Sequence, residues 1–227
     1  MLQAVIFDFD GVIVDSERLH YEAFVALSRD FGVDFDYDTY VRRYIGFDDR
    51  EAFTAMLGEA PAQQVAHADV AELGRRKHLM FRRMAEQRIE VFPGVRPLID
   101  GLAGHVPLAI ASGATKADLD LCLGKIGLAE RFEIVVSADD VSRSKPDPTT
   151  YALAVQRLSA SRPGPELEPG RCLAIEDTDA GIRSAGAAGL RTLGVGHTGP
   201  LEDLRRAERV VASLEGLSAQ TLQQWFS

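Results

Sequence analysis

Residues 4–13 read A-V-I-F-D-F-D-G-V-I. Ala4 to Phe7 form a short apolar run, the pattern of a strand buried on both faces of a parallel sheet. Asp8-Phe9-Asp10-Gly11 ends the run with two carboxylates two residues apart. If the chain stays extended, Asp8 and Asp10 point to the same side, and Gly11 lets the backbone turn away. Ligands of open α/β sheets gather at the carboxyl ends of strands. Two acids at such a tip suit a hard cation and acid/base work. The same four residues also read as an ordinary Asp-Gly turn, so the decision rests on what accompanies them.

Beyond Gly11 the pattern is helical for some seventy residues. Ser16 stands where it can cap a helix, and Leu19, Ala23, Phe24, Leu27 and Phe31 recur at helical spacing up to Gly32, which ends the helix. Tyr37–Tyr44, Asp49–Leu57 and Ala62–Gln87 also read as helices, the last with Val65, Val70, Leu73, Lys77, Met80 and Met84 along one face. Nothing between Ser16 and Arg88 reads as a strand. From Ile89-Glu90-Val91-Phe92 onward helices and strands alternate: helix Val95–Leu102, strand Pro107–Ala111, helix Thr115–Ile126, strand Glu133–Val136 and helix Thr149–Leu158. A Pro- and Gly-containing loop covers Ser161–Gly170. Strand Cys172–Ile175, helix Asp179–Ala188, strands Leu190–Val195 and Arg209–Val211 and helix Leu217–Phe226 complete the chain. The expected architecture is α/β: a doubly wound parallel-sheet, Rossmann-like core of residues 1–15 and 89–227 with a small all-helical insert, 16–88.

Composition narrows the partners. The 227 residues are 46% hydrophobic and 26% charged, as in a globular domain with ample core, and carry a net charge of −9. That charge disfavours nucleic acid and anionic membrane as partners. Cys122 and Cys172 are far apart and lack metal-type spacing, which fits a reducing compartment. The chain opens on a strand rather than a leader, and no apolar run approaches membrane length. A cytoplasmic protein is expected.

Three later strands end in polar groups that complement Asp8 and Asp10. Leu108–Ala111 runs into Ser112-Gly113-Ala114-Thr115, a hydroxyl and free N–H groups ahead of a helix, which can cradle an anion or simply form a turn and cap. Lys145 lies in Ser144-Lys145-Pro146-Asp147-Pro148, where two prolines fix the loop. Its compact ammonium can neutralise a phosphate and Asp8 together, although a solvated loop lysine has the same sequence. Leu173-Ala174-Ile175 then delivers Glu176-Asp177-Thr178-Asp179. More carboxylates beside Asp8 and Asp10 would repel one another without a cation, and Mg2+ resolves the conflict. One of Asp177 and Thr178 should cap the next helix, with Asp177 facing the metal.

Together D-F-D-G-V, the Ser112 turn, S-K-P-D-P and I-E-D-T-D-A-G resemble, in order and spacing, the four signature motifs of the haloacid dehalogenase superfamily. The helical insert after the first motif resembles the cap of its phosphatase and β-phosphoglucomutase branch. The resemblance implies that Asp8 is a nucleophile forming an aspartyl-phosphate, and that Asp10 is the general acid and then the base for water. It implies that Ser112 and Gly113 hold the phosphoryl group and that Lys145 neutralises charge beside it. Mg2+ would be held by Asp8, the Asp10 main-chain carbonyl and Asp177, with Glu176 ligating directly or through water. The dehalogenase branch lacks the second aspartate of the first motif, so Asp10 argues for phosphoryl transfer over C–Cl hydrolysis.

In the insert, His20 matches a histidine common near the hinge of this branch. Gly46-Phe47-Asp48-Asp49-Arg50 resembles the loop that carries a substrate-contacting arginine, with Arg50 one residue later than in the mutase. Lys77, a charge on an otherwise apolar face, resembles a substrate lysine of the mutase branch. Arg75, Arg76, Arg82 and Arg83 read as a solvated face. The expected activity is Mg2+-dependent hydrolysis of a small phosphate monoester by a monomer or weak dimer. A β-phosphoglucomutase-like phosphomutase is the alternative. After Ser112, however, this chain has Gly113-Ala114-Thr115-Lys116 in place of the polar run with which the mutase grips its sugar phosphate. A non-catalytic phosphate-metabolite binding protein would need neither a nucleophile nor an acid/base.

Overall fold

A computed structural model describes residues 1–45 and 47–226. The chain falls into two compact units, Met1–Asp15 with Glu90–Ser227, and Ser16–Ile89. In chain order β1 (Ala4–Phe7) is followed, in the second unit, by α1 (Glu17–Ser28), α2 (Tyr37–Arg43), α3 (Asp49–Glu59), the single turn α4 (Ala62–Val65) and α5 (Val70–Arg88). The first unit resumes with α6 (Val95–Leu102), β2 (Leu108–Ala111), α7 (Lys116–Ile126), β3 (Ile134–Val136), α8 (Thr149–Ala160) and β4 (Cys172–Glu176). It closes with α9 (Asp179–Ala187), β5 (Arg191–Val195), β6 (Arg209–Val211) and α10 (Ala219–Trp225).

The strands make one parallel sheet in the order β3-β2-β1-β4-β5-β6, the doubly wound order of Rossmann-type domains. Its direction reverses at β1, which pairs with β2 on one side and β4 on the other. Ala4 and Ile6 face one way with Ala109, Ala111, Cys172 and Ala174, packed on Tyr151, Ala154 and Leu158 of α8 and Ala185 of α9. Val5, Phe7, Leu108, Ile110, Leu173 and Ile175 alternate to the opposite face and are equally buried. Burial on both faces is why these strands are continuously apolar. Register then places the site: Phe7 lies opposite Ile110 and Ile175, so Asp8, Ser112 and Glu176 emerge at one edge, beside the reversal of strand order.

The helical unit has its own core of Phe24, Leu27, Phe31, Tyr40, Phe53, Met56 and Leu73. Its details correct several expectations. Ser16 occupies the N-cap position of α1, but its side chain makes no capping bond. The helix expected to run to Phe31 ends at Ser28 and tightens into a 3-10 turn, Arg29–Phe31, closed by Gly32 at φ +76°. The helix expected over Ala62–Gln87 breaks after Val65, because Asp69 caps a new start by accepting from Ala71 N at 2.9 Å and Glu72 N at 3.3 Å. The fully buried stripe of α5 is Leu73, Lys77, Phe81 and Ala85, so Met80 and Met84 lie at its border rather than on its axis. No helix of the described residues is long and apolar enough to cross a membrane.

Candidate active site

The sheet ladder continues one step beyond β1, with Asp8 N donating to Ile175 O at 2.9 Å, and this fixes the root of the Asp8 side chain. The chain then reverses: Gly11 has φ +80° and donates to Val14 O at 2.9 Å. Glycine is required there twice over. The backbone is left-handed, and a Cβ would fall 2.0 Å from Asp177 Oδ2. Asp10, half-buried, lies between these anchors and is bridged to Val14.

Lys145 arrives on the Ser144–Pro148 loop, whose Lys145–Pro146 peptide is cis. The loop is tied down by Ser184 Oγ donating to Asp147 O at 2.5 Å and by Asp147 N donating to Ser144 O at 3.0 Å. Its ammonium stands 2.5 Å from Asp8 Oδ1 and 2.6 Å from Glu176 Oε1, 5.0 Å from the Tyr151 ring centroid. Glu176 is held from all sides. Oε1 also accepts from the Tyr151 hydroxyl at 2.8 Å, while Oε2 accepts from Asp177 N at 3.2 Å, Thr178 N at 3.3 Å and Thr178 Oγ1 at 3.0 Å. A carboxylate offers about four lone-pair sites, so these donors fill it. Thr178 is the cap of α9, accepting from Gly181 N at 3.1 Å.

Asp8, Glu176 and Asp177 are buried, and each can bring one carboxylate oxygen within 4.8 Å of the others. Three carboxylates offering oxygen donors only are the donor chemistry of a hard divalent cation. The crowding bears on the protonation of Asp8. Burial foremost, with Glu176 and Asp10 adding and Lys145 opposing, pushes the Asp8 carboxyl up to about 8. Burial alone would lower the Lys145 ammonium, but the charges of Asp8 and Glu176 outweigh it and hold the group above its ordinary value.

Ser112 follows β2, buried, its N–H on Val136 O at 3.0 Å and its Oγ accepting from Ala114 N at 3.0 Å. That leaves the hydroxyl proton for another acceptor. Gly113 beside it is exposed, and Thr115 caps α7.

In the helical unit, Lys77 is buried, with its ammonium 2.6 Å from Asp49 Oδ1, 2.8 Å from His20 Nδ1 and 4.6 Å above the Phe24 ring. An ammonium only donates, so His20 Nδ1 accepts, and burial together with the Lys77 charge lowers the pKa of the imidazole. His20 stacks on Phe81 at 4.3 Å. Arg50 is exposed on the first turn of α3, in a shallow depression with Asp48, Glu51 and Thr54. Gly46, expected in the same loop, lies outside the described residues.

The structure thus brings together Asp8, Lys145, Glu176 and Asp177, and separately His20 and Lys77. It adds groups that sequence reasoning passed over: Tyr151, inside the expected helix Thr149–Leu158; Asp49, the Lys77 partner; and His197 and Thr198 after β5. Lys77, buried on an apolar face, was itself a signal that an acid lay within reach of its ammonium.

A family model of haloacid dehalogenase-like hydrolases matches residues 5–195. The chain is 30% identical over 200 residues to a fructose-1-phosphate phosphatase of Escherichia coli, covering 84% of this chain and 95% of that one. It is 28% identical over 229 residues to a β-phosphoglucomutase of Bacillus subtilis, covering 99% and 96%. The crystal structure of CbbY from Rhodobacter sphaeroides in complex with phosphate is similar, with TM-score 0.82 and 28% identity over 98% of this chain and 100% of that one.

Proposed function

We propose that this chain, which belongs to the haloacid dehalogenase-like hydrolase family and is a phosphoric monoester hydrolase of that kind, cleaves a sugar or related small metabolite phosphate through an aspartyl-phosphate on Asp8. The observation that carries the reading is Lys145 Nζ at 2.5 Å from Asp8 Oδ1 inside a buried cluster with Glu176 and Asp177. An Asp8 oxygen attacks phosphorus as the ester P–O bond breaks, and Asp10 gives its proton to the departing alkoxide. Asp10 then takes a proton from water, whose oxygen attacks the same phosphorus, breaking the Asp8–phosphoryl bond and releasing inorganic phosphate. Ser112, with Gly113 N–H, orients the phosphoryl oxygens, and Lys145 neutralises charge on them. Mg2+ fits the donor set and would be held by Asp8, Asp177 and the Asp10 main-chain carbonyl, with Glu176 beside them, ligating directly or through water in exchange for one of its protein donors. When bound it supplies charge neutralisation to the phosphoryl oxygens.

His20, Arg50 and Lys77 are the proposed readers of the rest of the substrate. Because Asp49 neutralises Lys77, the His20–Lys77 pair offers little net charge to a second phosphate, which favours hydrolysis over the phosphomutase alternative. The mutase-named relative keeps that alternative in the test. The buried cysteines Cys122 and Cys172 fit a reducing cytoplasm, and the reading needs neither nucleic acid nor membrane.

The test is phosphate release from a panel of phosphorylated metabolites, in Mg2+ and in EDTA, for wild type and Asp8→Asn. Metal-dependent release lost in Asp8→Asn is the expected result. Release that survives Asp8→Asn would overturn the mechanism. Isomerisation of β-glucose 1-phosphate with a bisphosphate primer, without phosphate release, would move the assignment to the mutase.

A further inference from the structure

Beyond β5 the chain runs Gly196-His197-Thr198-Gly199, a turn with no part in the reaction described above. Two of its side chains reach the site. Thr198 Oγ1 donates to Asp177 Oδ2. The methyl of the same residue lies 2.9 Å from the position a Cβ on Gly11 would take, a point only 2.0 Å from Asp177 Oδ2. Gly11, Asp177 and Thr198 therefore share one small space with no room for a further side-chain atom.

His197 anchors the turn on the other side. Its Nδ1 lies 3.1 Å from Gly11 O, a pure acceptor, so Nδ1 carries the proton; Nε2 accepts from Leu214 N at 3.4 Å. The ring stacks on Phe92 with centroids 4.1 Å apart. With both nitrogens engaged and one face covered, the imidazole has little freedom to rotate. Thr198 is thereby presented to Asp177 by a fixed support.

We propose that Thr198 is a positioning residue for the cation: its hydroxyl sets the orientation of the Asp177 carboxylate, and the His197 clamp on Gly11 holds Thr198 in place. The proposal rests on the reading of Asp8 and Asp177 as cation ligands. Groups that hydrogen-bond a ligand from outside typically contribute a factor of about 10–100 in metal affinity.

The test is equilibrium binding of Mn2+ to metal-free protein, followed by the EPR signal of free Mn2+, for wild type, Thr198→Val, Thr198→Ser and Asp177→Asn. Thermal melts in EDTA establish that each is folded. Thr198→Val is expected to bind about tenfold or more weakly and Thr198→Ser to restore most of the loss. Thr198→Ala, which removes the same hydroxyl without adding bulk, answers the question if Thr198→Val fails to fold. Wild-type affinity in the variant lacking the hydroxyl, with binding lost in Asp177→Asn, overturns the role of Thr198 and leaves the metal reading intact. Unchanged binding in Asp177→Asn overturns the metal reading itself.

Discussion

Lys145 Nζ stands 2.5 Å from Asp8 Oδ1, and the same ammonium is 2.6 Å from Glu176 Oε1. Their side chains are 13%, 10% and 1% exposed, so water screens the three charges poorly. Removing one partner of a buried ion pair typically costs about 3–5 kcal/mol, because the other is left uncompensated. Lys145→Met keeps the length of the side chain and leaves two carboxylates facing each other. Urea unfolding in EDTA above pH 8, where Asp8 is ionised in wild type, is expected to show a loss toward the low end of that range, since in the variant Asp8 can take up a proton instead. A variant as stable as wild type would show that the ammonium does not hold the carboxylates together in solution.

Asp8 gives that idea a pH dependence. The Asp8 carboxyl is pushed up to about 8 from an ordinary 3.8, mainly by burial. Between about pH 4 and pH 8 the folded chain holds a proton that the unfolded chain has released, so this group's contribution to stability falls as pH rises through that window. Asp8→Asn carries no such charge. In EDTA its melting temperature is expected to exceed that of wild type at pH 8, with the gap closing toward pH 4. Mg2+ should narrow the gap at pH 8 by binding folded wild type. A gap independent of pH would mean that Asp8 is already ionised in the metal-free fold.

The parts of this site that the sequence makes legible are those that depend on strand ends. Asp8, Ser112 and Glu176 each follow an apolar run directly, and a parallel sheet brings such positions to one edge without any knowledge of side-chain packing. Lys145 is legible for a different reason, its place directly ahead of Pro146 and Pro148 in a loop those prolines fix. What stays hidden depends on packing between distant segments. Tyr151 meets Glu176 only because α8 lies on β4, and Thr198 meets Asp177 only because β5 pairs with β4. In the helical unit the period of 3.6 was readable but its interruption was not. Asp69 starts α5 afresh, a capping signal that periodicity alone runs straight through.

Tyr151 is the sharpest case of a hidden partner. Its hydroxyl donates to Glu176 Oε1 at 2.8 Å, fully buried against the sheet. A hydrogen bond to a charged acceptor contributes about 1.5–3 kcal/mol. Because Glu176 keeps Lys145, Thr178 and the Asp177 and Thr178 N–H groups, Tyr151→Phe is expected at the low end of that range by denaturant unfolding. The variant keeps the ring and thus the packing on Ala154 and Ala174. A change near zero would mean that the hydroxyl bond makes no net contribution.

Glycine in α9 separates the site from the helix that bears it. Ala is favoured over Gly in a helix by about 1 kcal/mol, so Gly→Ala should stabilise α9 wherever space allows. At Gly186 a Cβ would meet nothing within 4 Å, and Gly186→Ala is expected to raise stability by up to that amount. At Gly181 the same atom would fall 1.9 Å from Glu176 Cδ and Oε1 and 2.1 Å from Oε2. Glu176 cannot swing aside without leaving Lys145, Tyr151 and the α9 cap together. Overpacking of this kind costs about 1–3 kcal/mol, enough to reverse the gain in helix propensity. Gly181→Ala is therefore expected to melt lower than wild type and to lose phosphatase activity, while Gly186→Ala melts higher with activity retained. If Gly181→Ala instead matched Gly186→Ala in both readouts, the Glu176 carboxylate would have to be free to move, and the fixed Lys145–Glu176–Tyr151 arrangement would fall with it.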